Sequence, residues 1–367
     1  REVILCTIVK RTGDQEEDPS EEANVLKSLV GGGSTVLIGR IIGVITGFGS
    51  TYILAQYFGA SVLGEVRFAI SVMGFAVLFS VGGYSDALER YIPIAEPQAK
   101  SWETFFTSIL LTSTIAICLG IGVFVTAPTI SQVAFSSDSL TIYLRSLAIA
   151  LPFTVFYKQT ISAAKGWNWA LPMTLLPDLV KPVLKLICFS IVLAVGLGSI
   201  GLAIAVGVIQ ILLGICSVFV LLIISRNRVS FPRPWNPNIR SLWPTRSTAY
   251  ELSAYSLPLL LSKSIWTLMN RSDTLMVGYF LEQEDVGIYA VAFSLAMLLN
   301  ILTGSVGALF LPNIASLYKK GNLETIQEVY TRVTKWIVIL SLPVILGMVG
   351  FSPAVLGIFG EEFSVWE

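Results

Sequence analysis

The chain has 367 residues, of which 54% are hydrophobic and 13% are charged, with 24 basic residues, 24 acidic residues and no histidine. Soluble domains carry about 25% charged residues, so this composition excludes an ordinary soluble protein and indicates a polytopic membrane protein. The balanced charge gives no reason to expect a nucleic-acid partner.

The chain begins with a polar, acidic segment over residues 1–28 that includes "RTGDQEEDPSEEAN". It holds too few apolar side chains to form a core, which predicts a disordered tail. The chain starts without Met and stops after "GEEFSVWE", so we expect it to be a piece of a longer protein.

Apolar runs long enough to cross a membrane follow the tail. About 20 helical residues are needed to cross about 30 Å of hydrocarbon. By that length, the sequence predicts an all-α protein with about nine transmembrane helices. They lie near residues 29–56, 63–88, 104–127, 142–164, 169–197, 199–225, 250–280, 286–311 and 333–351.

The distribution of basic residues predicts the orientation of these helices. If the N-terminus is cytoplasmic, the inner segments hold most of the Lys and Arg, including "SRNRVSFPRPWNPNIRSLWPTR", whereas the outer segments hold only Arg67 and Arg145. The positive-inside rule therefore favours a cell-membrane protein with a cytoplasmic N-terminus.

Two stretches of the chain resemble each other. The stretch "ILAQYFGASVLGEVRFAISV" from Ile53 matches "LMVGYFLEQEDVGIYAVAFSL" from Leu275, with Gly64 on Gly287. Six predicted spans precede the second copy, so the repeat has parallel topology. We therefore predict two pseudo-symmetric helical bundles. The first, over 29–225, has six helices; the second, over 250–367, is incomplete with about three. A basic linker over 226–249 lies at the membrane interface between them.

Several segments carry a family resemblance. Together with the first copy of the repeat, "GGYSDALERYIP", "SDTLMVGYFLEQEDVGIYAVAFSLA" and "LGIFGEEFS" resemble the polysaccharide-flippase branch of the multidrug/oligosaccharidyl-lipid/polysaccharide exporter superfamily. The resemblance implies two bundles of six helices that form a V around a central cavity, in a bacterial or archaeal plasma membrane. By that pattern, this chain is at least three helices short.

The predicted fifth helix contains the charged stretch "DLVKPVLK". A charge at the centre of a membrane helix costs about 2.5–3.5 kcal/mol, so such residues usually have partners or a function. At 100° per residue, Asp178, Lys181 and Lys185 lie within about 60° of one another on one face. Pro177 and Pro182 remove backbone donors and predict a kink here.

The predicted seventh helix carries a second polar stripe. It consists of Lys263, Thr267, Asn270 and Thr274, with Arg271 and Asp273 beside it. By the offset between the two copies of the repeat, Arg40 of the first helix corresponds to Lys263 of the seventh. Since lipid cannot solvate these groups, they are predicted to face the space between the bundles.

Cations outnumber acids among these deep groups. Arg40, Lys181, Lys185, Lys263 and Arg271 are five, against Asp178 and Asp273. Phosphate accepts several charge-assisted hydrogen bonds from Arg and Lys and would offset the excess. The five cations are therefore predicted to bind substrate, and Asp178, Asn270 and Asp273 to be polar or counter-charge groups of the cavity.

Ion pairing within the protein is the alternative interpretation. Asp178 could pair with Lys181, and Arg271 with Asp273, and such pairs would only hold helices in register.

Three further charges, Asp86, Glu89 and Arg90, lie at the predicted cytoplasmic end of the second span. They could form an inner gate, or pair with one another in a charge cluster at the headgroups.

Function classes follow from these residues. The chain lacks histidine, CxxC spacing and a phosphate-binding Gly-rich loop, so no metal site, cofactor or enzyme activity is predicted. The favoured function is a flippase for isoprenoid-phosphate-linked oligosaccharide. Its expected partners are that substrate, membrane lipids, and a polysaccharide polymerase or glycosyltransferases of the same pathway. The alternative is an ion-coupled multidrug or metabolite exporter, for which an acidic or aromatic cavity is expected.

Overall fold

The computed structural model describes residues 19–96, 98–135, 137–169, 172, 175–227, 244–297, 299 and 323–363, with side chains from Ile42 onward. Helices dominate these residues and no strand occurs among them. The helices are α1 (Pro19–Val81), α2 (Tyr84–Tyr91), α3 (Gln98–Ala134), α4 (Asp138–Gly166), α5 (Lys181–Val195), α6 (Gly198–Asn227), α7 (Arg246–Phe280), α8 (283–297), α9 (Leu323–Gly350) and α10 (Ser352–Gly357). A π-helical turn (Leu176–Val180) precedes α5, and a 3-10 turn (Glu361–Phe363) follows α10.

A break at Gly59 divides α1 into two legs. Gly59 has φ 82° and ψ 170°, a conformation that glycine adopts without strain and other residues do not. Leg one (19–58) contains the first predicted span but begins at Pro19, within the segment predicted to be a disordered tail, and leg two (60–81) corresponds to the second span. The second span was predicted to run to residue 88, but leg two ends at Val81 and the short α2 follows.

The predicted fifth and sixth spans, 169–197 and 199–225, are separate helices, and the break between them lies within "GLGSIG". Gly196 ends α5 with φ 72°, and α6 begins at Gly198. The predicted kink before α5 is a π-helical turn that contains Pro177. Such turns insert an extra residue into a helix, often at functional sites.

Five described stretches are long and apolar enough to cross a membrane: Ile42–Val81, Ala99–Ala134, Asp138–Gly166, Gly198–Ile224 and Val329–Gly350. The all-α, multi-pass class is thus confirmed. The helices α5 and α7, which carry the polar stripes, are absent from this set. The number of spans stays a prediction, because residues 228–243 and 300–322 lie outside the described residues.

The two copies of the repeat contact each other directly. A Cβ on Gly64 would lie 1.8 Å from the carbonyl oxygen of Gln283, and a Cβ on Gly287 would lie 2.0 Å from that of Ala60. Ala60 and Gln283 occupy matching positions in the repeat, so the contact is reciprocal, as across a two-fold axis. Only glycine permits this approach of leg two to α8.

Arg67 lies near this contact, within leg two. It was predicted for an outer segment, but its guanidinium donates hydrogen bonds to Thr51 Oγ1 at 3.0 Å and Ser294 Oγ at 3.1 Å. It therefore links both legs of α1 to α8.

The helix α4 is central in the first bundle and fixes the position of the cavity wall. Its buried Tyr143, Leu144 and Leu151 belong to the main apolar core. Ser146 Oγ donates to the carbonyl oxygen of Ala203 at 2.7 Å, and Gly207 lets α6 approach that turn closely. Small residues and hydroxyl groups allow such close contacts between membrane helices.

Candidate functional site

A cavity of about 900 Å³ lies between leg two, α4, the start of α5 and α7. Its described lining includes five basic residues and no acidic one. These are Lys158, Lys165, Lys181, Lys263 and Arg271. Polar groups without charge, such as Thr154, Gln210 and Thr267, complete the hydrophilic part of the wall. A cleft of one sign of charge between low-dielectric walls focuses its field and concentrates ions of opposite sign.

Three of these cations form the floor of the cavity: Lys158 on α4, Lys181 on α5 and Arg271 on α7. Within the described part of the chain, none of the three lies in an ion pair. Lys181 and Arg271 both exert repulsion on the charge of Lys158, as does Lys263. The cluster therefore gathers positive charge, with no direct ion pair to a carboxylate among the described residues.

Sequence reasoning did not assign Lys158 to the site. It was counted as a residue of an inner segment that helped to set the orientation. The signal that could have found it is its position seven residues before Lys165, inside the predicted fourth span. Two turns of helix give these lysines the same face, and both line the cavity.

Arg271 is held against leg two. Its Nη1 donates to the carbonyl oxygen of Ile70 at 3.2 Å, and a Cβ on Gly74 would lie 2.5 Å from its Nε. Glycine at position 74 thus leaves the space that the guanidinium occupies. This contact places the guanidinium of Arg271, which belongs to α7, against leg two of α1.

Arg271 and Asp273 do not form the direct ion pair of the alternative interpretation among the described residues, although the charge of Asp273 acts favourably on Arg271. Asp273 accepts from Tyr289 Oη at 2.6 Å and from the backbone N–H of Thr274 at 2.7 Å. Its carboxylate is directed to α8, because a separation of two residues places it on another face of α7 than Arg271. Asp273 therefore leaves the guanidinium of Arg271 available to the cavity.

The second polar stripe is only partly in the cavity. Lys263, Thr267 and Arg271 line it, at intervals of four residues. Asn270 is exposed outside the described lining, and its Nδ2 donates to the carbonyl oxygen of Trp266 at 2.7 Å within the same helix.

Two ion pairs lie at the rim of the cavity. Lys263 Nζ is 2.9 Å from Asp86 Oδ2, and Lys165 Nζ is 3.0 Å from Glu89 Oε1. The first pair joins α7 to α2, whereas the second joins two helices of the first bundle. Under the predicted orientation this rim is cytoplasmic.

Arg90 pairs with neither acid, so the expected cluster of Asp86 and Glu89 with Arg90 is wrong. The guanidinium carbon of Arg90 lies 4.7 Å from the centre of the Tyr255 ring, in a cation–π contact between α2 and α7. Tyr84 and Ser253 add a hydrogen bond of 2.9 Å nearby. Asp86 and Arg90 thus belong to a contact between the predicted bundles, whereas Glu89 pairs with Lys165 within the first.

Lys185 and Asp178 are not part of the described lining. Lys185 Nζ is 5.4 Å from the centre of the Phe189 ring. Asp178 lies in the π-helical turn, whose backbone contacts leg one at Gly43. The side chain of Arg40 lies outside the described residues. No group of three or more acidic or cysteine side chains that could hold a metal ion occurs among the residues that were described.

The chain matches the family model described as "Polysaccharide biosynthesis protein" over residues 53–366. The probable flippase AglR of Haloferax volcanii is 28% identical over 127 residues, which are 35% of this chain and 27% of the relative. The probable low-salt glycan biosynthesis flippase Agl15 of the same organism is 25% identical over 143 residues, 39% of this chain and 28% of the relative. The matched segments thus span less than a third of either relative.

The fold has a counterpart among solved structures. An inward-facing multidrug resistance transporter of the MATE family and MOP superfamily aligns with a TM-score of 0.65 and 17% identity, over 89% of this chain and 76% of that one. At that identity the likeness concerns the fold alone.

Proposed function

Because the chain belongs to the polysaccharide biosynthesis protein family, we propose that it is a flippase for isoprenoid-phosphate-linked oligosaccharide. The glycan-phosphate headgroup crosses the cytoplasmic membrane through the cavity, and the isoprenoid tail stays in the bilayer. The two matched relatives, both named as probable flippases, support this proposal.

The charge of the cavity is the observation that carries the proposal. Five basic side chains line it, and the described carboxylates that pair with any of them lie at the rim. A phosphate or pyrophosphate group would relieve the mutual repulsion of Lys158, Lys181 and Arg271 through charge-assisted hydrogen bonds. Arg271 offers a planar fork for two phosphate oxygens, and the two lysines act as point charges. The predicted roles of Arg40, Lys185, Asp178, Asn270 and Asp273 stay predictions.

The rim pair Lys263–Asp86 is proposed as the inner gate. It joins the two predicted bundles, 29–225 and 250–367, and both of its side chains are partly exposed, at 45% and 33%. An incoming phosphate can replace the carboxylate of Asp86 as the partner of Lys263. The gate then opens because the substrate competes for one of its charges.

The proposed setting is a bacterial or archaeal plasma membrane with the N-terminus on the cytoplasmic side. Transport, with no catalytic step, accounts for the residues of the cavity. Pathway glycosyltransferases or a polysaccharide polymerase supply and consume the lipid-linked glycan.

A binding experiment separates the flippase from the drug exporter. The full-length protein in detergent is titrated with a short-chain isoprenyl diphosphate glycan, and separately with a cationic dye, while thermal stability is followed. We expect the diphosphate glycan to raise the melting temperature and the dye to have no effect. Stabilisation by the dye alone would contradict the flippase and favour the exporter.

A further inference from the structure

The end of the described chain packs along leg one of α1 as far as the break. Phe359 is 1% exposed, and its ring centre lies 5.3 Å from that of Phe48 and 6.0 Å from that of Tyr52. Gln56 Nε2, with the carboxamide oriented to donate, lies 3.2 Å from the carbonyl oxygens of Ile358 and Phe359. Because Phe48, Tyr52 and Gln56 are spaced by four residues, they form one face of leg one.

At the break itself, Glu362 replaces the missing helical hydrogen bond. Its Oε2 accepts from the backbone N–H of Ala60 at 3.1 Å, and a Cβ on Gly59 would lie 3.3 Å from the same oxygen. The first N–H groups of a helix have no partner within that helix, and a carboxylate there also interacts favourably with the helix dipole. The side chain of Glu362 thus caps leg two from about 300 residues away in sequence.

Residues 358–363, which we call the brace, follow directly after α9 and α10. None of the most apolar 18-residue stretch of α9 is buried within the described protein. The brace therefore gives this late part of the chain a specific polar and aromatic contact with the first bundle. Leg two, which the brace caps, contains Gly64 at the contact with α8 and Gly74 at the contact with Arg271.

We propose that the brace is a releasable strut. It fixes the angle between the two legs at Gly59 in the arrangement seen here, and it must leave leg one when the bundles change their relative orientation. The hinge is Gly59. Several contacts hold it: the hydrogen bond from Ala60 N–H to Glu362, the contacts of the brace with Gln56 and Phe48, and the hydrogen bond of Arg67 to Thr51 between the legs. Movement of α9 and α10 is in this way coupled to movement of leg two, which lines the cavity.

Crosslinking tests the release. In the full-length protein with its native cysteines replaced by serine, Gln56→Cys and Ile358→Cys are joined by a short, reducible thiol crosslinker, and glycan flipping is measured in proteoliposomes. We expect crosslinking to reduce flipping at least about tenfold, equivalent to about 1.4 kcal/mol, and a reductant to restore it. The control joins Ile42→Cys to Ile45→Cys within leg one, which leaves the brace free. Unchanged flipping by the crosslinked brace would show that release is unnecessary and would overturn the proposal.

A second measurement needs no substrate, so it distinguishes failure of the strut from failure of the proposed function. Spin labels at Ile45 on leg one and Phe79 on leg two, which are 65% and 50% exposed, report the angle at Gly59. Glu362→Ala is expected to shift or broaden the distance distribution. The matched control Glu284→Ala, which removes an exposed acid from α8, is expected to leave it unchanged. An unchanged distribution in Glu362→Ala would also overturn the proposal.

Discussion

The rim and the floor of the cavity hold the same kind of side chain in different electrostatic situations. At the rim, Lys263 and Lys165 each contact a carboxylate of α2 within 3.0 Å. At the floor, Lys158, Lys181 and Arg271 lie in no described ion pair. Both matter for the proposed transport, but for different reasons.

The difference separates residues that hold helices together from residues available to a ligand. A half-exposed ion pair contributes about 0–1 kcal/mol to stability, so it can break and form again during transport. Cations that repel one another gain more from an anionic ligand, because the ligand removes the repulsion and also adds charge-assisted bonds. Neutralising a floor cation should therefore impair transport, and neutralising a rim cation should mainly alter the gate.

Substitution of the floor cations is expected to have the largest effect on affinity for the substrate. Lys181→Gln and Arg271→Gln each remove a charge-assisted contact worth about 1.5–3 kcal/mol, which is a tenfold to hundredfold loss of affinity for a diphosphate glycan. Titration of the purified full-length variants measures this, with melting temperature as the test of folding. Unchanged affinity in both variants would remove the distinction between floor and rim.

A smaller loss of affinity for the diphosphate glycan is expected from Gly74→Ala. The new Cβ would meet the guanidinium of Arg271, not rigid backbone, so the side chain moves and stability changes by less than about 1 kcal/mol. Affinity for the glycan should fall, but less than in Arg271→Gln. The control is Gly122→Ala on α3, where a Cβ meets nothing within 4 Å. Equal affinities of the two alanine variants would show that the position of Arg271 is unimportant.

The effect of Lys185→Gln should be smaller than that of Lys181→Gln. Lys185 lies over the Phe189 ring, outside the described lining of the cavity. Matched titrations of the two glutamine variants compare adjacent turns of one helix. A greater loss at Lys185 would place the phosphate deeper than the floor defined here.

The smallest change in free energy is expected from the ion pairs at the rim. A double-mutant cycle of Asp86→Asn and Lys263→Gln should give a coupling energy for unfolding of about 0.2–1 kcal/mol. The cycle of Glu89→Gln and Lys165→Gln, within the first bundle, serves as the matched comparison. Flipping rates should change only in the first cycle, since only that pair joins the bundles. A similar change in both cycles would argue against Lys263–Asp86 as the gate.

Much of the architecture could be predicted from the sequence. Apolar runs predicted the all-α membrane class, and Pro177 and Pro182 predicted the irregular start of α5. Membership of a polysaccharide biosynthesis family is confirmed by the family match, and the two probable flippases among the relatives agree with the resemblance. These inferences depend on composition and local backbone chemistry, which each segment carries by itself.

The individual partners of the charges could not be predicted in this way. The alternative interpretation paired Asp273 with Arg271, but Asp273 contacts Tyr289; it paired Asp86 with Arg90, but Asp86 contacts Lys263. Lys158 was missed because a single lysine in an apolar run gives no direction without its neighbours. Nearness in sequence favours a pair only if both side chains share a helix face, and a long Lys or Arg side chain can reach several helices.

The sequence by itself determined the membrane class, the breaks after the first and fifth predicted spans, and the repeat that matches Gly64 with Gly287, because hydropathy and backbone freedom are properties of the residues themselves. The tertiary structure alone decided that these glycines contact each other, that five cations surround one cavity, and that Glu362 caps the break at Gly59. Those contacts join residues up to about 300 positions apart, and they depend on how the helices pack in three dimensions, which local sequence patterns do not specify.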